Sequence, residues 1–189
     1  IKAYEQYRGR VKPYDFEVDP TGLDALKPFT NAHELVGKTR KIFGTLDPYF
    51  ESCLSTMESM NLLDLESRKG KAPGGYLYPL PLTGVPFIFM NAVGSLRDLV
   101  TMVHEGGHAI HSFLSKDLKL NDFKNVPSEV AELASMSMEL ISMQQWQEFF
   151  NNAADFERAK MEQLDDILRT LPWVAAIDKF QHWMYCNSS

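Results

Sequence analysis

Cysteine is scarce in this chain of 189 residues, with only Cys53 and Cys186 and no C-x-x-C pair. That excludes a disulfide framework and a thiolate metal site, and it makes the cytoplasm the expected compartment. No apolar run approaches the ~20 residues of a membrane span, so no membrane partner is expected. Ile1 to Lys12 are charged and aromatic, unlike a signal peptide. Lys/Arg-rich stripes are also missing and the formal charge is -6, which argues against nucleic acid as the main partner. Gly70 to Gly75 invites a phosphate-loop reading, but no G-K-[ST] follows and no helix opens there. Arg68, Lys69 and Lys71 are accordingly read as a solvated loop. The sequence has no internal repeat and no initiating Met, and it is read as beginning inside a longer polypeptide.

What is present suffices for a core: 44% of residues are hydrophobic and 12% aromatic, the makeup of one folded domain over 1–189. Asn31 and Glu34 form a capping pair for a helix to about Phe43, with Leu35, Val36, Ile42 and Phe43 inward and His33 exposed. Asp47 and Pro48 supply an N-cap and an N1 proline for a second helix to about Met60, with Phe50, Leu54, Met57 and Met60 as its apolar face. Glycines and prolines then crowd the stretch from Leu62 to Pro86, where Tyr76, Leu77 and Tyr78 read as a short strand between turns. Phe87 to Met90 is a buried strand, and its edge is expected to be offered to an extended peptide.

The centre of the sequence is Leu96 to Leu114. Ser95 and Asp98 form a capping box, and Leu96, Leu99, Val100, Val103, Ala109, Ile110 and Phe113 recur at helical spacing. Within this helix, His104-Glu105-Gly106-Gly107-His108 is an H-E-x-x-H pattern. Histidines four apart share a helix face and present two imidazoles to one point, with Glu105 beside it as a candidate general base. Gly106 and Gly107 cost a helix interior roughly 1 kcal/mol each relative to Ala, so something must approach the helix closely there.

A catalytic zinc takes three protein ligands and leaves a position open for water. The continuation x-x-G-x-x-H is excluded, because His111 and Leu114 occupy its Gly and His positions. The third ligand is therefore sought on a later helix, read from Ser128 to about Phe150, which carries Glu129, Glu132 and Glu139 and no Lys or Arg to pair them. Val130, Leu133, Met136, Leu140, Ile141 and Met143 are read as its apolar side. Spacing alone leaves Glu129 and Glu132 open. A further helix from Asp155 is expected to stop at Pro172, followed by another from Trp173 to Tyr185.

These residues carry a resemblance. Ser67-Arg68-Lys69-Gly70-Lys71-Ala72-Pro73-Gly74-Gly75-Tyr76, Pro86 to Asn91, His104 to His108 and Glu132-Leu133-Ala134-Ser135-Met136-Ser137-Met138-Glu139 resemble the oligoendopeptidase F branch of the zinc oligopeptidases related to thimet oligopeptidase. The resemblance implies a mainly α, zincin-type catalytic domain with a small β-hairpin or strand element ahead of the H-E-x-x-H helix. It implies one Zn2+ on His104, His108 and Glu132, with Glu132 starting the family's E-x-x-S-x-x-x-E pattern. Glu139 is then expected to orient a ligand histidine, a role also considered for His111. Tyr76, Gly74 and Gly75 are candidates for substrate contact. Family members carry, after the helix resembling Pro172 to Tyr185, a segment with tyrosines and a histidine that stabilises the oxyanion. The chain ends at Ser189 without it, so the remainder of the catalytic domain is expected beyond that residue.

The expected activity is metalloendopeptidase cleavage of short peptides, with metal-activated water and Glu105 as the base. The alternative is a non-catalytic zinc-binding or interaction module built on the same helices.

Overall fold

The computed structural model describes residues 22–187. Helix α1 (Ala32–Leu46) starts where the Asn31 side chain accepts from the Glu34 backbone N–H. Helix α2 (Pro48–Ser59) follows after the single residue Asp47, whose carboxylate caps Tyr49 N–H ahead of an N1 proline. Leu35, Val36, Ile42 and Phe43 of α1 and Leu54 and Met57 of α2 are buried together; Met60 is 45% exposed and does not complete the expected face. Each such side chain, fully buried, contributes roughly 1.5–3 kcal/mol against the entropy of ordering it.

Three short strands follow: β1 (Leu63–Glu66), β2 (Tyr76–Tyr78) and β3 (Phe87–Ala92). Their order is β1-β3-β2, with β1 parallel and β2 antiparallel to β3. This corrects the expectation for Phe87 to Met90. That strand is central and paired on both sides, with Ile88, Met90 and Ala92 buried on one face, and the edge nearest the His helix belongs to β2.

Helix α3 (Leu96–Ser115) opens with a complete Ser95–Asp98 capping box. Leu99, Met102, Val103, Ala109, Ile110 and Phe113 bury one face against the sheet and the helical pair. After a short 3-10 turn at Asn121–Lys124, helix α4 (Ser128–Ser142) runs into 3-10 geometry over Met143–Phe149, where Trp146 is fully buried and its indole N–H donates to Ser142 Oγ at 3.1 Å. Helix α5 (Ala153–Cys186) is capped by Asn152 and continues through Pro172. Proline's φ is helical already, so its cost there is one missing N–H bond and local crowding, and the expected break at Pro172 does not occur.

Helix α4 is turned opposite to its reading. Val130, Leu133, Met136, Leu140 and Ile141 are exposed, Leu133 at 67%, and of that apolar side Met143 alone is buried, together with Ser135, Met138, Glu139 and Ser142. The side packed on α3 is the one that brings carboxylates to the histidines, and small residues let the helices approach. Gly107 is the counterpart: a Cβ there would lie 2.7 Å from Ala134 O and 2.8 Å from Ser135 Cα. Gly106 faces the ring of Phe43 in the same way. The costly glycines of α3 thus accommodate a second helix and an aromatic ring.

Among the described residues no helix is long and apolar enough to cross a membrane.

Candidate metal centre and cleft

Two helices make the centre. One turn of α3 sets the His104 and His108 rings 4.9 Å apart and nearly perpendicular. From α4, Glu132 Oε2 lies 3.2 Å from His104 Nε2 and 3.6 Å from His108 Nε2. The ligand atoms of His104, His108 and Glu132 all fall within 4.8 Å of one another. Two imidazoles and a carboxylate converging from two packed helices fit a divalent transition metal with an open position. Glu129 is exposed and stands outside this group, so α4 brings in one of its two candidates.

The surrounding bonds fix these side chains. Ser135 Oγ donates to Glu132 Oε2 at 2.8 Å, holding the half-exposed carboxylate toward the histidines. Glu139, nearly buried, meets His104 Nδ1 at 2.6 Å through Oε1. Its other oxygen accepts from Gln163 Nε2 of α5 at 2.6 Å. With Nδ1–H given to Glu139, the neutral His104 ring keeps its Nε2 lone pair for a metal. Gln163 is a contributor that the sequence reading missed. No short motif marks it, and only its burial on an exposed helix distinguishes it.

The electrostatics separate the two histidines. Burial pushes the His104 pKa down, but the Glu139 hydrogen bond and the nearby Glu139, Glu105 and Glu132 charges outweigh it and leave the pKa raised. The His108 pKa is lowered, first by burial and then by the His104 charge, which favours the neutral ring that a metal needs. Glu105 is buried and its pKa is raised, chiefly by desolvation, with His104 and a backbone hydrogen bond from Leu77 pulling the other way.

The centre opens into a cleft of about 590 Å³ lined by Gly75, Tyr76 and Leu77 on the sheet side and by His104, Glu105, His108 and Glu132 on the helical side. Tyr76 is half-exposed and stacks on Phe89 with ring centroids 4.9 Å apart. His111 lines the cleft one turn beyond His108 and makes no hydrogen bond to the three ligand candidates. Gly74 stands outside the lining, with φ +107° and its carbonyl bonded to Asn91.

A helix carrying H-E-x-x-H, crossed by a second that adds a glutamate, makes a candidate metal centre of the kind found in metallopeptidases. The chain belongs to Peptidase family M3, whose family model matches residues 3–189, and within it to the oligoendopeptidase F branch. It is 30% identical over 130 residues to the chromosomal oligoendopeptidase F of Lactococcus lactis subsp. cremoris, covering 69% of this chain and 21% of that protein. An oligoendopeptidase F homolog of Borreliella burgdorferi is 27% identical over 180 residues, covering 90% of this chain and 30% of its own length. Among solved structures, PZ peptidase A with inhibitor 2 superposes with a TM-score of 0.84 at 32% identity, covering 97% of this chain and 33% of that one. The chain therefore spans a third or less of the length of these relatives.

Proposed function

We propose that the chain carries the zinc centre and general base of an endopeptidase that cleaves short peptides. The observation that carries this is the convergence of His104, His108 and Glu132 within 4.8 Å beside the buried Glu105. A bound Zn2+ would supply Lewis acidity, lowering the pKa of water and polarising the scissile carbonyl. His104, His108 and Glu132 would hold the ion, and Glu139 would hold the His104 ring in its metal-binding tautomer. Glu105 takes the proton from the attacking water and returns it to the leaving amine. The edge of β2 that is unpaired among the described residues supplies backbone groups to an extended peptide, so binding asks little of side-chain identity. Tyr76 and Gly75 line the same wall.

The test is Glu105→Gln in the complete peptidase. It should retain stoichiometric zinc and lose hydrolysis of a quenched fluorescent peptide by roughly 10²-fold to 10⁴-fold. Retained turnover would remove Glu105 from the mechanism and leave a zinc-holding module.

A further inference from the structure

In the loop read as solvated, Arg68 and Lys69 are exposed as expected, but Lys71 is not. The Lys71 side chain is 1% exposed, and its ammonium has three donors and uses all of them: Asp64 O at 2.9 Å, Asp64 Oδ1 at 3.0 Å and Glu66 O at 2.8 Å. Nζ also lies 4.4 Å from the centroid of Phe89. Arg68 forks onto both Asp64 oxygens at 2.6 and 2.9 Å, fixing the carboxylate that receives Lys71. These bonds tie the loop to β1. A second tie runs to β3, where Asn91 Nδ2 donates to Ala72 O at 2.7 Å and Gly74 O at 2.9 Å.

What the ties hold is the approach of β2 to the site. A Cβ at Gly75 would lie 2.9 Å from Thr101 Cγ2, so the loop comes into contact with α3 one turn before Glu105. The next residues form a strand of three that, among the described residues, pairs with β3 on one side only. Three paired residues hold a strand poorly by themselves. An edge that must be ordered by its ligand binds that ligand more weakly than one fixed in advance.

We infer that Lys71 and Asn91 are positioning residues that preorganise β2 as the strand on which a peptide pairs. They touch neither metal nor reacting atoms. The inference rests on the endopeptidase reading above. It assigns to a buried ammonium and an amide a part of peptide affinity that grows with the length of β2 covered.

The experiment compares two hydroxamate probes on the zinc-loaded complete peptidase: an acetylated dipeptide hydroxamate confined to the metal and Glu105, and an eight-residue peptide hydroxamate that also spans β2. Wild type should bind the longer probe more tightly. Lys71→Met should weaken the longer probe by about tenfold or more while the shorter probe changes by less than about twofold, since only the preorganised edge is lost. Asn91→Ala, whose loop carbonyls can turn to water, should act in the same direction by roughly threefold. Should Lys71→Met show no cooperative melting transition, Asn91→Ala decides by the same criterion. Equal weakening of both probes, or no weakening of either, overturns the clamp. Wild type that binds zinc but neither probe overturns the endopeptidase reading itself, and the clamp's purpose with it.

Discussion

The two walls of the cleft are built by opposite means. On the reading proposed above the helical wall acts through side chains: His104, His108, Glu132, Glu105 and Glu139 each have a role set by their own chemistry, with His104 and Glu132 held by Glu139 and Ser135. The sheet wall, on the same reading, acts through backbone. Gly75, Tyr76 and Leu77 present main-chain groups held from behind by Lys71 and Asn91, and many side chains at 76 to 78 would leave that edge intact. Specific residue types at fixed spacing are therefore needed on one wall and absent from the other. Damage to the first should abolish metal binding or chemistry, and damage to the second should change how firmly a peptide is held.

The sharpest break is Glu132→Ala. Removing one of three ligands should reduce zinc affinity well beyond the roughly 10- to 100-fold that loss of an outer-sphere partner costs, while Glu129→Ala should leave it unchanged. Competition against a chelator of known affinity measures both, and the reverse result would show that α4 presents its other carboxylate. Glu139→Ala removes the acceptor of His104 Nδ1–H, so zinc affinity should fall by about 10- to 100-fold. Gln163→Leu removes only the contact at 2.6 Å behind Glu139, and should fall at or below the low end of that range.

This asymmetry between walls explains what was legible in the sequence. The H-E-x-x-H pattern, the Ser95–Asp98 capping box and the strand at Phe87 to Met90 are short-range signals, and each element lies where it was read. Helix α4 was found but its facing was inverted. An apolar stripe shows that a helix has two faces, whereas the choice of face against α3 is made by the carboxylates and by Gly107, which only the tertiary arrangement reveals. Lys71 was read as solvated because lysine usually is, and its three acceptors, Asp64 Oδ1 and two carbonyls, come from a strand too short to announce itself. Pro172 misled for a related reason. A proline forbids one backbone bond and leaves its own helical φ intact, so it marks an end only when nothing beyond it favours helix.

The helical wall can also be loosened without touching a ligand. Gly107→Ala would put a methyl 2.7 Å from Ala134 O, and α4 must shift to admit it. Overpacking of this kind typically costs about 1–3 kcal/mol. Alanine's better helix propensity offsets roughly 1 kcal/mol of that. The net effect should be a lower denaturation midpoint together with weaker zinc binding, because the helix that moves carries Glu132. Gly37→Ala in α1 is the control: no atom lies within 4 Å of the added methyl, so stability should rise. Unchanged zinc affinity in Gly107→Ala would separate the helix contact from ligand placement.

The sheet wall has its own weak point, in acid. Asp64 is held down to about 2, first by the Arg68 hydrogen bonds and further by Lys71, against burial that acts upward. In the unfolded chain an aspartate titrates near ~3.9. Between those values the unfolded state binds more protons than the folded one, so stability rises with pH there. The contribution is fully present above about pH 4 and is lost as the pH falls toward about 2. Glu34, held down to about 2 chiefly by Lys38, titrates over a similar range at the start of α1 and remains in an Asp64→Asn protein. Asp64→Asn should therefore flatten the dependence of unfolding free energy on pH over this window without abolishing it. The effect should be small, because the Asp64 side chain is 30% exposed and solvent screens the pair. Denaturant titrations at closely spaced pH values measure it, and identical slopes in wild type and Asp64→Asn would mean that Arg68 and Lys71 do not hold this carboxylate in solution.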